Sequence, residues 1–222
     1  PSSGRHTEKS ATLTIDQTAD FVREKFKEIL EREVEQGLRP ADHRRLVAIS
    51  LGGMVGASWV SRYPTDFHSF VIINSSFRGV SKFHERLRWR AWWRIPRVLR
   101  ADDVETREQR ILDWISNSPE KRDQVLPEWV RIQHSRPVSK LNLAIQLTAA
   151  MRFEAPAALP VPILILASQA DRMVDPACSE AIADRYSAPL LMHPTAGHDL
   201  TLDDGPWVAA KIVEWKHVEP SL

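Results

Sequence analysis

Four short apolar runs, separated by segments with helical periodicity, constrain the fold of this 222-residue chain more than any other feature. The runs are residues 46–49, 70–74, 163–167 and 190–192. The first three have the continuous apolar character of strands that are buried on both faces of a sheet, and the fourth is a shorter strand pattern. Because helical patterns alternate with the strands, a parallel sheet with right-handed crossovers is predicted. We therefore expect the α/β class, with a mostly parallel sheet.

The segments between the strands carry the usual signals of helices. Thr14 and Gln17 form a capping-box pattern at the start of an amphipathic helix that continues to Val34. Further helices are predicted over residues 53–63, 177–186 and 206–217, and residues 1–12 are predicted to form a loop. Asp204 is expected to cap the last of these helices.

Residues 78–158 break the alternation of strands and helices. They contain no strand pattern, and helical patterns cover approximately 103–117, 124–134 and 139–152. Five of the eight tryptophans also lie in this segment, at positions 89, 92, 93, 114 and 129. We interpret the segment as a helical insertion between two strands of a core formed by residues 1–77 and 159–222.

Charge and cysteine content exclude several classes of protein. The 30 basic and 29 acidic residues give a formal net charge of +1, so no overall field attracts nucleic acid or membrane. A single cysteine, Cys178, excludes a disulfide framework and a cysteine-based zinc cluster. No apolar run approaches the roughly 20 residues that span a bilayer.

The segment 86–100 carries six arginines interleaved with Trp89, Trp92 and Trp93. We interpret it as an amphipathic helix with solvated arginines and buried tryptophans. The alternative is a face for an acidic substrate, phospholipid headgroups or nucleic acid. Since the net charge is close to zero, we expect neither a nucleic-acid partner nor membrane association.

The sequence Ala48-Ile49-Ser50-Leu51-Gly52 lies between a predicted strand and a predicted helix. A serine on such a turn is exposed in a strained backbone conformation, which requires small residues two positions before and after it. The Leu51 amide at the start of the helix is placed to donate to an oxyanion. The alternative is a serine that merely ends a strand beside a glycine-rich turn.

A nucleophilic serine needs a base, and the base needs a carboxylate to orient it. His198 and Asp171 each follow a predicted strand, where open parallel sheets place their sites. Asp175 is the rival carboxylate, but its place beside Pro176 favours a helix cap. His193 and His198 have no third ligand nearby in the sequence, so we expect no metal site.

These residues resemble the esterase/lipase-type branch of the α/β-hydrolase superfamily. The resemblance rests on SLGGM at 50–54, RYP at 62–64, VIIN at 71–74, DRMV at 171–174 and AGH at 196–198. It implies that Ser50 is the nucleophile, His198 the general base and then acid, and Asp171 the orienting carboxylate. It also implies that residues 78–158 form a cap or lid over the substrate pocket.

Two departures from the family pattern stand out. Ala48 replaces the first glycine of G-x-S-x-G, and the sequence contains no HG-type loop. We expect the N-terminal strands of the family, and a second oxyanion donor, to lie outside these residues. The strand at 46–49 would then form an edge of the sheet.

The resemblance implies a cytoplasmic serine hydrolase that cleaves a small-molecule carboxylic ester through an acyl-enzyme intermediate and needs no cofactor. The alternative is a non-catalytic or truncated relative with an incomplete oxyanion hole that acts as a binding protein. Formation of a homo-oligomer is left open.

Overall fold

The computed structural model describes residues 11–39, 43–89 and 91–215, with the side chain of Trp92 left out. The loop predicted for residues 1–12 therefore lies mainly outside the described residues. The elements, in chain order, are α1 (Ile15–Glu35), β1 (Arg45–Ile49), α2 (Leu51–Arg62), β2 (Ser69–Ile73), α3 (Phe83–Arg86), α4 (Ala91–Leu99), α5 (Val104–Ile115), α6 (Pro119–Ser135), α7 (Lys140–Arg152), β3 (Ile163–Ser168), α8 (Ala177–Tyr186), β4 (Leu190–His193) and α9 (Leu200–Glu214).

The strands form one parallel sheet in the order β1-β2-β3-β4, which confirms the predicted α/β class. Alternate side chains of β2 and β3 enter two different cores because successive residues of a strand point to opposite faces. Phe70, Ile72, Ile163 and Ile165 pack with α1, α2 and α8. Val71, Ile73, Leu164 and Leu166 pack against α9 on the other face.

β1 lies at one edge of the described sheet, since β2 is its only neighbour among the described residues. Val47, at its middle, is 44% exposed. The expectation that this strand is buried on both faces is therefore wrong within the described residues, whereas its position at an edge is as expected. The N–H and C=O groups of an unpaired strand edge remain free to bond another strand.

The insertion between β2 and β3 is helical, as predicted. Helix α6 begins at Pro119, earlier than the expected residue 124, because the Ser118 side chain accepts a hydrogen bond from the Lys121 N–H.

Helix α9 begins at Leu200 rather than 206, since a short first turn joins the predicted helix across a kink at Asp204. Asp204 still accepts a hydrogen bond from the Trp207 N–H, which is the predicted capping role.

The interpretation of buried tryptophans beside solvated arginines is wrong for two of them. Trp89 is 64% and Trp93 is 69% exposed, whereas Trp114 is buried. On α4, Trp93 lies on the same exposed helix face as Arg97, because positions four residues apart are neighbours. No helix in the described part of the chain is long and apolar enough to cross a membrane.

Asp66 links α1 to the end of α2. Its carboxylate accepts hydrogen bonds from the Arg23 guanidinium at 2.6 Å and from the Trp59 indole N–H at 2.7 Å. Burial opposes ionisation of this carboxyl group, but the two hydrogen bonds outweigh it and lower the pKa of Asp66. The ionised carboxylate therefore stabilises the folded state above the pKa that Asp66 has in the unfolded chain.

We expect Asp66→Asn to lower the free energy of unfolding by about 1–3 kcal/mol at pH 7, because a charged hydrogen-bond acceptor is lost. A lowered folded-state pKa gives stability that is lost as the pH falls, so parent and variant should converge below about pH 4. Urea unfolding at pH 7 and pH 3 measures this. An equal difference at both pH values would contradict the assigned role of the charge.

Candidate active site

Ser50 occupies the sharp turn that joins β1 to α2. Its φ of 54° and ψ of −122° are unusual for a residue with a side chain, and such strain costs about 1–3 kcal/mol. Two hydrogen bonds of 2.8 Å hold the turn: the Ser50 N–H donates to the Ile73 carbonyl at the end of β2, and the hydroxyl of Ser75, two residues after β2, donates to the Ser50 carbonyl. The conformation is that expected of a nucleophilic serine on a strand-to-helix turn.

The turn also accommodates the departure at Ala48. A Cβ placed on Gly52 would lie 3.7 Å from the Ala48 Cβ, which is an ordinary van der Waals contact. The Ala48 methyl group is therefore not crowded by position 52. The replacement of the first glycine is therefore compatible with this backbone.

The structure brings Ser50, His198 and Asp171 into one hydrogen-bonded series. His198 Nε2 lies 2.8 Å from Ser50 Oγ, and His198 Nδ1 lies 2.7 Å from Asp171 Oδ2. The His198 and Asp171 residues are buried. Since the Asp171 carboxylate can only accept a hydrogen bond, the partner at His198 Nδ1 must donate, and we assign the imidazole proton to Nδ1. Nε2 is then free to accept from the Ser50 hydroxyl.

The two candidate carboxylates have different partners. Asp171 Oδ1 accepts hydrogen bonds from the N–H groups of Met173 and Val174, so its second oxygen is held facing His198. Asp175 instead accepts from the Ala177 N–H and lies 3.3 Å from the Arg88 guanidinium. The geometry thus pairs His198 with Asp171 and gives Asp175 a contact at the start of α8.

Asn74 is a site residue that the sequence analysis did not single out. It follows β2 with a φ of 43°, and its amide nitrogen donates to the His198 carbonyl at 2.7 Å. Its oxygen accepts from the Ser168 N–H at 2.8 Å, so one buried amide joins the ends of β2 and β3 to the His198 backbone. In the sequence, the only sign of this role is that Asn74 is a polar residue directly after the apolar strand β2.

His193 belongs to a separate contact. Its Nδ1 accepts a hydrogen bond from the Ala196 N–H at 2.9 Å, and its Nε2 faces Asp204 at 3.2 Å. The Trp207 N–H and then the hydrogen bond from His193 lower the pKa of Asp204. Within the described ranges, no group of three or more His, Cys, Asp or Glu residues could hold a metal ion.

A cavity of about 160 Å³ lies beside Leu51. Thr12, Ile15, Thr18 and Val22 from the α1 region line it, together with Leu51, Gln146 and Ala149. Leu51 is the first residue of α2, where backbone N–H groups have no partner within the helix.

The model of the family described as serine aminopeptidase, S33, matches residues 4–205. No curated protein sequence matches the chain significantly. Since the family model covers most of the chain and the sheet has the expected parallel order, the protein is an α/β-hydrolase. The chain belongs to the serine aminopeptidase S33 family.

Solved structures share this fold at low sequence identity. A 2-hydroxy-6-oxo-6-phenylhexa-2,4-dienoate hydrolase from a Rhodococcus species superposes with a TM-score of 0.68 and 16% identity, covering 93% of this chain and 73% of that one. A bacterial membrane phospholipase A superposes with a TM-score of 0.69 and 16% identity, covering 96% of this chain and 67% of that one. An esterase from Thermogutta terrifontis superposes with a TM-score of 0.63 and 19% identity, covering 93% of this chain and 73% of that one. At such identities, these likenesses show the fold alone.

Cys178 is the chain's only thiol, and it is buried in α8. Burial raises the pKa of Cys178 to about 12. The thiolate is the reactive form, so we expect iodoacetamide at pH 8 to alkylate the folded protein about 10³-fold more slowly than the protein in urea. Mass spectrometry of timed samples measures this. Similar rates in both states would contradict the burial of the thiol.

Proposed function

We propose that the protein is a serine hydrolase that cleaves a carboxylic ester of a small molecule through an acyl-enzyme intermediate. The observation that carries the proposal is the series Ser50 Oγ, His198 Nε2, His198 Nδ1 and Asp171 Oδ2, with both hydrogen bonds below 3 Å. A serine, a base and an orienting carboxylate at these distances suit nucleophilic catalysis.

In this mechanism Ser50 Oγ attacks the ester carbonyl while His198 Nε2 takes the hydroxyl proton. Asp171 holds the imidazole in place and stabilises its protonated form. The Leu51 N–H donates to the oxyanion of the tetrahedral intermediate. The imidazolium then protonates the departing alcohol, and the resulting acyl-Ser50 is hydrolysed by a water from which His198 removes a proton.

The lining of the cavity beside Leu51 supports an ester rather than a peptide with a free amino terminus. None of its seven described residues is Asp or Glu, so no carboxylate there would pair with a substrate ammonium group. Ile15, Val22 and Ala149 instead offer apolar surface. We infer that this cavity takes a small apolar part of the substrate.

We also propose that residues 78–158 act as a cap. Gln146 and Ala149 of α7 line this cavity together with Thr18 and Val22 of α1. The cap would thereby help to define the size of the group that fits beside Ser50. This division of the chain into core and cap remains a prediction.

Labelling with a fluorophosphonate tests the reaction class directly. Attack by Ser50 Oγ forms an oxygen–phosphorus bond and releases fluoride, so the expected product carries one label at Ser50. Turnover of p-nitrophenyl acetate and butyrate should exceed that of aminoacyl p-nitroanilides. No labelling would favour the alternative of a non-catalytic binding protein, and faster anilide cleavage would favour a peptidase.

Substitutions should separate the proposed roles. We expect Ser50→Ala or His198→Ala to lower kcat for ester hydrolysis by about 10⁶-fold, and Asp171→Asn by about 10⁴-fold. Asp175→Asn is the matched control, because it removes a neighbouring carboxylate that does not contact His198. Steady-state ester kinetics measure these effects. If Asp171→Asn left kcat unchanged while Asp175→Asn lowered it, the assignment of Asp171 as the orienting carboxylate would be refuted.

A further inference from the structure

Three segments converge beside the candidate triad. The cap junction, defined as residues 115–118 between α5 and α6, touches two loops of the core. These are the acid loop, residues 169–175 after β3, and the base loop, residues 194–199 after β4. We propose that this junction positions the triad, with Asn117 and Asp203 as the positioning residues. The inference rests on the proposed function.

Asn117 joins the two loops through one side-chain amide. Its Nδ2 donates to the Ala170 carbonyl at 3.1 Å and to the Thr195 carbonyl at 3.0 Å. Ala170 directly precedes the carboxylate that faces the imidazole, and Thr195 lies three residues before His198. Since both N–H bonds of one planar group are used, the amide fixes the separation of the two loops.

Asp203 holds the base loop against the cap junction. Its Oδ2 accepts hydrogen bonds from the Gly197 N–H at 2.6 Å and from the Asn117 N–H at 2.8 Å. Its Oδ1 accepts from the Ser116 hydroxyl at 2.5 Å. One carboxylate at the start of α9 therefore binds the residue before His198 and two residues of the cap junction.

Close packing leaves little freedom at this contact. A Cβ on Gly197 would lie 2.6 Å from the Ile115 carbonyl oxygen and 3.0 Å from the Asn117 nitrogen. The Asp199 N–H, on the other side of His198, donates to the Ile115 carbonyl at 2.8 Å. The backbone after His198 is thus hydrogen-bonded to the end of α5, and the backbone before it packs closely against the same carbonyl.

The acid loop has its own links to the cap. The Arg172 guanidinium donates to the carbonyls of Asp113 and Ser116 at the carboxyl end of α5, where a positive charge is favourable. The Arg88 guanidinium donates to the Asp171 carbonyl. The positions of both partners of Ser50 in the hydrogen-bonded series therefore depend on the insertion as well as on the sheet.

Because Asn117 and Asp203 hold the loops that carry Asp171 and His198, their substitution should lower the reaction rate by a mechanism that is separate from a loss of folding stability. A displacement of about 1 Å in a reacting group can cost about 10²-fold in rate. Asp203→Asn keeps the size of the side chain but places an N–H group where backbone N–H groups donate. Asn117→Ala removes both donors to the loops. Neither residue touches the cavity beside Leu51, so substrate binding should change little.

The test compares Asp203→Asn and Asn117→Ala with Asp66→Asn in the full chain. Asp66 is a matched control, because its partly buried carboxylate also accepts several hydrogen bonds but lies between α1 and α2. We expect kcat for p-nitrophenyl butyrate and the rate constant of fluorophosphonate labelling to fall about 10–100-fold in the two variants, with KM within about threefold of the parent. Asp66→Asn should keep kcat and the labelling rate constant within about twofold of the parent, although it loses about as much thermal stability as the two variants.

The double variant Asn117→Ala/Asp203→Asn provides an independent check. If the two side chains act through one junction, its loss of rate should be smaller than the product of the single losses. Folded variants that are labelled by the fluorophosphonate at the parental rate would overturn the inference. So would a loss of kcat equal to that of the Asp66→Asn control, or an effect on KM alone. If the parent itself is not labelled at Ser50, the proposed function fails instead.

Discussion

The pairing of β2 with both β1 and β3 is the interaction on which the candidate site depends. The register places Ile49 beside Ile73 and Ile73 beside Leu166, so β1 and β2 end at the same level and β3 extends two residues further in the same direction. Ser50, Asn74 and the acid loop follow these ends directly. Because parallel strands direct all their carboxyl ends to one edge, residues far apart in sequence meet there.

The same strands offset the cost of the strained serine. The Ser50 conformation is unfavourable by itself, and it persists because the Ser50 N–H donates to the Ile73 carbonyl of β2 and the Ser50 carbonyl accepts from the Ser75 hydroxyl. Asn74 performs a similar task for His198, since it exchanges hydrogen bonds with Ser168 while it holds the His198 carbonyl. The buried polar groups of the site are thereby paired with one another, which burial away from water requires.

Much of this arrangement could be predicted from the sequence because its signals are local. The turn around Ser50 needs small residues at fixed positions, and the chain order of Ser50, Asp171 and His198 follows the order of the strands. The exposure of Trp93 could not be predicted in this way, and for Asn74 the pattern marked only a polar residue at the end of a strand. The contacts of both residues depend on which surfaces the insertion and the sheet ends bring together, and no periodicity or spacing encodes those contacts.

Asn117 shows the limit most clearly. Its sequence context, Ser116-Asn117-Ser118-Pro119, is that of a helix start, and Ser118 has that role. Yet the Asn117 side chain bonds two loops that lie more than 50 residues away along the chain. A cap that only covered the pocket could move without disturbing the imidazole. Here the Ile115 carbonyl at the end of α5 accepts from the Asp199 N–H and packs against Gly197, so under the positioning role that we propose, a shift of α5 would also shift the backbone around His198.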